Sequence, residues 1–188
     1  MKELESLYLA KDGQPLMESL EYLNRSGCYV VPTVNDVELY NEVVSSFNTM
    51  KFTKEEQKAI WTLVACSLLL GNVDFDDSGL TDKIPCAVKN EEYLKAAIDL
   101  LQCDYAELSK ALTIKFREVQ GQVIESTISR ADCITQRDSL AKELYNRLFN
   151  WLIKRLNFTV IPPEFLVEGA HIPQLLTNYY HIGLLDIF

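Results

Sequence analysis

The feature that most constrains the fold is a long amphipathic stripe in the second half of the chain. From about Asp132 to Asn157, the residues Ala141, Leu144, Tyr145, Leu148, Phe149, Leu152 and Leu156 recur at helical spacing. Asp138–Lys142 and Glu143–Arg147 are i,i+4 pairs in the better orientation. Lys154 and Arg155 suit the negative end of the helix dipole, and Pro162-Pro163 cannot continue the helix. The tyrosine, phenylalanine and tryptophan along it are expected in the core. With the further helices read along the chain, the fold class expected is mainly α.

The remaining segments supply those partners. Asn35 is a plausible N-cap for a helix reaching about Met50, with Asp36 and Glu38 in its first turn. Thr53 and Glu56 have capping-box spacing. The helix after them, through Trp61 to Leu70, is apolar nearly all round and reads as buried; Gly71-Asn72 stops it. Asp74 to Lys89 reads as a loop or irregular ribbon. Helices are expected over about Glu91 to Leu101 and Tyr105 to Leu112, the second capped by Asp104 with Glu107. Ile114 to Ser129 alternates around Gln120-Gly121, like two short strands and a turn. Met1 to Leu23 has a helical flavour broken by Gly13 and Pro15. Asn24 to Tyr29 is turn-rich and leads into Val30-Val31.

At the far end, Ile182-Gly183-Leu184-Leu185 reads as a fully buried strand carrying Asp186. Such a strand needs partners for its backbone groups, and the chain stops just past it, as expected of a boundary set inside a longer protein. An aspartate there is either an ordinary cap or surface group, or the group that holds hydrated Mg²⁺ in a nucleotide-binding sheet.

Composition narrows the function classes. The 188 residues are 48% apolar, enough for a real core, and carry a net charge of -9. That charge argues against nucleic acid and anionic membrane as partners. Five widely spaced cysteines (Cys28, Cys66, Cys86, Cys103, Cys133) read as reduced core thiols. The charges after Lys2 do not resemble a signal peptide, and the apolar run Leu63 to Leu70 is too short to span a bilayer; cytosol is the expected compartment. The acidic run Asp74-Phe75-Asp76-Asp77-Ser78-Gly79 fails as a calcium loop, because its twelfth position is Pro85. His171 and His181 fit no zinc spacing. No phosphate-cradling GxxxxGK[ST] occurs.

Five segments, in order, carry a resemblance: Tyr22-Leu23-Asn24-Arg25-Ser26-Gly27-Cys28-Tyr29; Phe52-Thr53-Lys54-Glu55-Glu56-Gln57 with Leu69-Leu70-Gly71-Asn72-Val73; Leu100 to Leu112; Asp138-Ser139-Leu140-Ala141-Lys142 with Tyr145, Phe149, Asn150 and Trp151; and Leu184-Leu185-Asp186-Ile187-Phe188. Together they resemble the myosin motor head, and the last resembles the start of its switch II motif. The resemblance implies that residues 1–188 form one incomplete piece of that head. It would be the upper fifty-kilodalton subdomain, helical with one short β-hairpin and a terminal strand of the transducer sheet.

On this resemblance, Ile114 to Ser129 would be the cardiomyopathy loop, with Lys115, Arg117, Glu118, Gln122 and Glu125 facing the actin filament. Asp74 to Lys89 would be a neighbouring loop close to actin. Read without the family, the hairpin would be a plain one with Lys115, Arg117 and Glu118 solvated. Asp186 would act in the parent through a Mg²⁺-bound water. The family's acidic or phosphorylatable residue, sixteen positions before Asp138, is Gln122 here, which can be neither. The parent would be a cytoplasmic, cytoskeletal motor using Mg-ATP, with the other head subdomains as partners. The fragment alone would need no cofactor and perform no catalysis, and exposed strand edges would invite self-association. The alternative function is a stand-alone helical interaction module without catalysis.

Overall fold

A computed structural model describes residues 16–160. The expected terminal strand, Asp186, His171 and His181 lie outside those residues, as does most of the first segment. The chain divides into two units, Met1–Asn150 and Trp151–Phe188.

In the first unit, two short helices, α1 (Leu16–Ser19) and α2 (Glu21–Asn24), precede α3 (Asp36–Thr49) and α4 (Lys54–Gly71). The caps form as their sequences require. The Asn35 side chain accepts from the amides of Val37 and Glu38. The Thr53 hydroxyl accepts from the Glu56 amide at 3.1 Å, while the Glu56 carboxylate accepts from the Thr53 amide at 2.8 Å. No residue of α3 is buried. It is held to α4 by an aromatic cluster, with Tyr40 and Trp61 ring centroids 5.3 Å apart and Phe47 and Phe52 4.9 Å apart.

The Asp74–Lys89 segment is a ribbon whose two-residue strands, β1 (Phe75–Asp76) and β2 (Ala87–Val88), pair antiparallel. Helices α5 (Glu91–Leu101) and α6 (Tyr105–Thr113) follow, then the hairpin β3 (Ile114–Val119) and β4 (Gln122–Thr127), and finally α7 (Arg130–Val160), whose residues from Trp151 onward belong to the second unit. Among the described residues the architecture is mainly helical with two small antiparallel sheets.

The core has two parts. Cys66 and Leu70 of α4 meet Ala97 of α5 and Ala141 of α7, where small side chains permit close helix packing. The larger cluster joins Val73, Phe75 and Cys86 of the ribbon region to Leu94, Leu112, Ile128 and Cys133. Three of the expected core thiols, Cys66, Cys86 and Cys133, are buried; Cys28 and Cys103 are exposed, and all five are free. Burial pushes the Cys66 thiol up to about 12, and burial beside Cys86 does the same to Cys133.

The long helix departs from its sequence reading in three ways. Its buried line is Cys133, Arg137, Ala141 and Leu148. At about 100° per residue, Tyr145 and Phe149 fall to one side of that line and are 60% and 44% exposed; Trp151 is 41% exposed. The aromatics are therefore not core in this chain. Next, Asp138 turns to Arg137 and Tyr22 rather than to Lys142, whereas Arg147–Glu143 pairs as expected at 2.7 Å. Finally, the helix runs on to Val160, so its last turn holds no basic residue.

A polar knot ties the N-terminal segment to this frame. Arg137, only 5% exposed, donates to the Val73 carbonyl at 2.6 Å and to Asp138 Oδ1 at 2.9 and 2.7 Å. The Tyr22 hydroxyl donates to the same carboxylate oxygen at 2.6 Å. Gly71 is helical rather than a left-handed cap; Asn72 closes α4 in the αR region. A Cβ on Gly71 would stand 2.8 Å from the Tyr22 ring, so glycine is required for close approach. The Asn72 side chain accepts from the Glu21 amide and donates to the Ser19 carbonyl, at 2.9 and 2.6 Å. Asn90 repeats the device, donating to the Asn72 carbonyl and accepting from the Asp74 amide.

Two outcomes test this arrangement. Gly71→Ala gains about 0.5–1 kcal/mol of helix propensity but overpacks the Tyr22 ring, which costs about 1–3 kcal/mol. Urea unfolding of the 188-residue chain should show net destabilisation, and the same change in a Tyr22→Ala background should turn stabilising. The second outcome is a pH dependence. Burial, with the hydrogen bond to Asp138, raises the Tyr22 hydroxyl to about 12. Its contribution is thus whole below the unfolded tyrosine value near 10 and disappears as pH climbs through 12. Burial raises Asp138, but the hydrogen bonds from Tyr22 and Arg137 outweigh it and hold the carboxyl below its usual range. Its contribution is present above pH 4 or so and is lost as pH falls through the depressed value. Melting temperatures of Tyr22→Phe and Asp138→Asn should fall less steeply than wild type at the alkaline and acid ends respectively.

Candidate functional site

The β3–β4 hairpin stands off the core. Its turn places Gln120 at φ 51° and Gly121 at φ 78°, the two positive values of a two-residue type I′ turn. The register pairs Ile114 with Thr127, Phe116 with Glu125, Arg117 with Ile124 and Val119 with Gln122. Within β3 only Ile114 is buried. Phe116, Val119, Val123 and Ile124 are all exposed, Val123 to 67%. The β-branched residues Val119, Val123 and Ile124, which in a covered strand would be packed, keep about half or more of their surface in water.

Residues opposite each other in the register share a face. One face carries Lys115, Arg117, Val119, Gln122, Ile124 and Ser126; the other carries Phe116, Glu118, Val123 and Glu125. The sequence-predicted residues Lys115, Arg117, Glu118, Gln122 and Glu125 are therefore brought onto one exposed hairpin, but the charges are sorted by side. The sequence reading missed this sorting and the four exposed apolar residues. The alternation around Gln120-Gly121 was the signal for both.

The hairpin base is braced from three directions. Lys110 of α6 pairs with Glu125 at 2.6 Å and lies over the Phe116 ring at 5.5 Å. Gln136 of α7 donates to the carbonyls of Ala111 and Ile114. Thr127 donates its hydroxyl to the Thr81 carbonyl of the ribbon at 2.9 Å. The ribbon is itself clamped: Arg130 donates to the Phe75 carbonyl at 2.8 Å and to Asp74 at 2.6 Å. Burial raises Asp74, but the Phe75 amide and Arg130 outweigh it and hold the carboxyl low. In the acidic run, Asp76 accepts from the Ser78 amide and hydroxyl, so it closes a turn.

Behind the cationic face lies a groove of about 400 Å³, walled by Lys115, Arg117 and Ser126 on the hairpin and by Asp132, Gln136 and Ser139 on α7. Ser129 caps α7 above it, donating to Asp132 at 2.7 Å and accepting from the Asp132 amide at 3.2 Å. No helix among the described residues is long and apolar enough to cross a membrane.

Comparison with known proteins places this architecture. The family model of the myosin head (motor domain) matches residues 3–188. Myosin-B/C of Toxoplasma gondii is 32% identical over 177 residues, which is 92% of this chain and 14% of that protein. Myosin-16 of Arabidopsis thaliana is 33% identical over 181 residues, 95% of this chain and 13% of that protein. Myosin-9 of Arabidopsis thaliana is 32% identical over 185 residues, 98% of this chain and 11% of the relative. The chain thus spans a small part of the length of these relatives, while nearly all of it aligns, including the braced hairpin and the helices that carry it. It belongs to the myosin head (motor domain) family.

Proposed function

We propose that residues 1–188 are one subdomain of an ATP-driven, actin-based cytoplasmic motor, and that the β3–β4 hairpin is its filament-facing element. The observation that carries this reading is the hairpin itself. It exposes four large apolar residues and two cations, yet Lys110, Gln136 and Thr127 fix its base. Exposed apolar side chains on a fixed support are the composition of a partner surface rather than of a solvated turn. Lys115 and Arg117 attract acidic groups on the filament, and Val119 and Ile124 on the same face supply apolar contact. Glu118, Gln122 and Glu125 set orientation. Gln122 can be neither ionised nor phosphorylated, so charge regulation at that position does not operate.

In this reading the upper fifty-kilodalton subdomain forms one jaw of the cleft, and the Asp74–Lys89 ribbon lies beside the contact. Residues Ile182 to Leu185 join the transducer sheet of the parent. With Mg-ATP bound in the parent, Asp186 would hold the metal through a water and sense the γ-phosphate. Phosphoryl transfer rests on positioning and charge stabilisation by several groups, so the other head subdomains must complete the site. The exposed aromatics of α7, Tyr145, Phe149 and Trp151, suit contact with those subdomains. Membership of the motor family supports this reading over a stand-alone interaction module.

Two measurements test it. In the longer parent protein, Lys115→Glu with Arg117→Glu should weaken co-sedimentation with filamentous actin by roughly tenfold or more, since two close charge contacts are each worth up to about 1 kcal/mol and become repulsive on reversal. Unchanged co-sedimentation would remove the hairpin from the contact. In the same protein, Asp186→Ala should nearly abolish actin-activated ATP turnover; wild-type turnover would remove Asp186 from the mechanism.

A further inference from the structure

The groove behind the cationic hairpin face has an unusual hydrogen-bond inventory. Five hydroxyls line it, and each gives its proton to a protein acceptor: Ser126 to the Lys115 carbonyl, Thr127 to the Thr81 carbonyl, Ser129 to Asp132, Thr135 to the Ala131 carbonyl and Ser139 to the Thr135 carbonyl. Gln136 commits its amide nitrogen to two backbone carbonyls, leaving its carbonyl oxygen as an acceptor. The side-chain donors left for a ligand are therefore Lys115 and Arg117. They sit two residues apart on one face of β3, about 7 Å by strand geometry, and neither pairs with a carboxylate of any described residue. Apart from the apolar Ile128, the other lining side chains, Asp132 above all, present lone pairs.

A bare anion satisfies only half of such a groove, because it has no protons for the α7 wall and meets Asp132 there. A neutral polyol satisfies only the other half. We propose that the groove binds a small phosphate ester of a polyol, with the phosphate on Lys115 and Arg117 and the hydroxyls donating to Asp132, Gln136 and Ser139. The volume suits a ligand of this size. Arginine and lysine together supply the charge-assisted bonds that a phosphate takes. This chemistry could come from a free metabolite or from a lipid headgroup. The net charge of -9 opposes approach to an anionic bilayer, so the free ester is the ligand.

The test uses the ¹⁵N-labelled 188-residue chain at fixed ionic strength, titrated separately with myo-inositol 1-phosphate, inorganic phosphate and myo-inositol. The ester should bind at least tenfold tighter than either control, with saturating shifts confined to the groove, including the Gln136 side-chain amide. The double variant Lys115→Gln with Arg117→Gln, both on the exposed surface, should lose at least tenfold in affinity with its spectrum otherwise retained. Asp132→Asn should weaken the ester while leaving inorganic phosphate unchanged or tighter. Equal affinity for ester and phosphate, or no loss in the double variant, overturns the proposal. Phosphatidylcholine vesicles carrying phosphatidylinositol 4-phosphate form a separate arm; binding there but not to the free ester overturns the choice of source and with it the proposal as stated.

Discussion

Arg137 is the group on which the rest of the first unit depends. A guanidinium that is nearly inaccessible costs several kcal/mol to desolvate, and the cost is recovered only if every neighbour is in place. The Val73 carbonyl, at the end of α4, takes one arm; Asp138, one residue along, takes the rest; Tyr22 completes Asp138. Those contacts join α7, the α4 exit and the N-terminal segment at one point. Removing Asp138 leaves the buried guanidinium without its carboxylate, and removing Arg137 leaves the Val73 carbonyl without this donor, each a penalty larger than the bond itself. The knot therefore specifies a single arrangement of three segments far apart in the chain, which apolar packing between small residues such as Cys66, Ala97 and Ala141 would specify less sharply.

What stands on this frame inherits its rigidity. The ribbon leaves α4 just past Val73 and is caught again by Arg130, at the start of α7. The hairpin is fixed by Gln136, next to Arg137, and by Lys110. Thus the two surface elements, ribbon and hairpin, are braced by neighbouring residues of the same two turns of α7. Thr127 to Thr81 adds a direct bond between them. A rotation of α7 would carry both elements together, so whatever surface they form is one surface.

Much of this was legible in the residues. Asn35, Thr53 with Glu56, and Asp104 each announced a helix start, because a cap is a local bond between residues three apart. Gln120-Gly121 announced the turn, because positive φ at both positions leaves few residue choices. Non-local facts were not legible. Gly71 looked like a helix stop, and its true constraint is a tyrosine from far upstream. Tyr145 and Phe149 looked like core because periodicity reports a face but not its width; the covered strip of α7 is narrower than the apolar one. Asp138 looked like half of a local pair and serves a distant hydroxyl. Of the candidate site, the hairpin charges were placed correctly on one element, but their division between two faces needed the register.

That excess of apolar surface is itself informative. Among the described residues, α7 shows Tyr145 and Phe149 to solvent, α3 has no fully buried residue, and the hairpin presents Phe116, Val119, Val123 and Ile124. Most of the exposed apolar residues lie on α3, α7 and the hairpin, and others, such as Val30, Val31 and Ile84, lie between elements. The caps, the buried Arg137 and the asparagine bridges of Asn72 and Asn90 fix the frame through polar bonds, so its geometry does not depend on covering these apolar side chains.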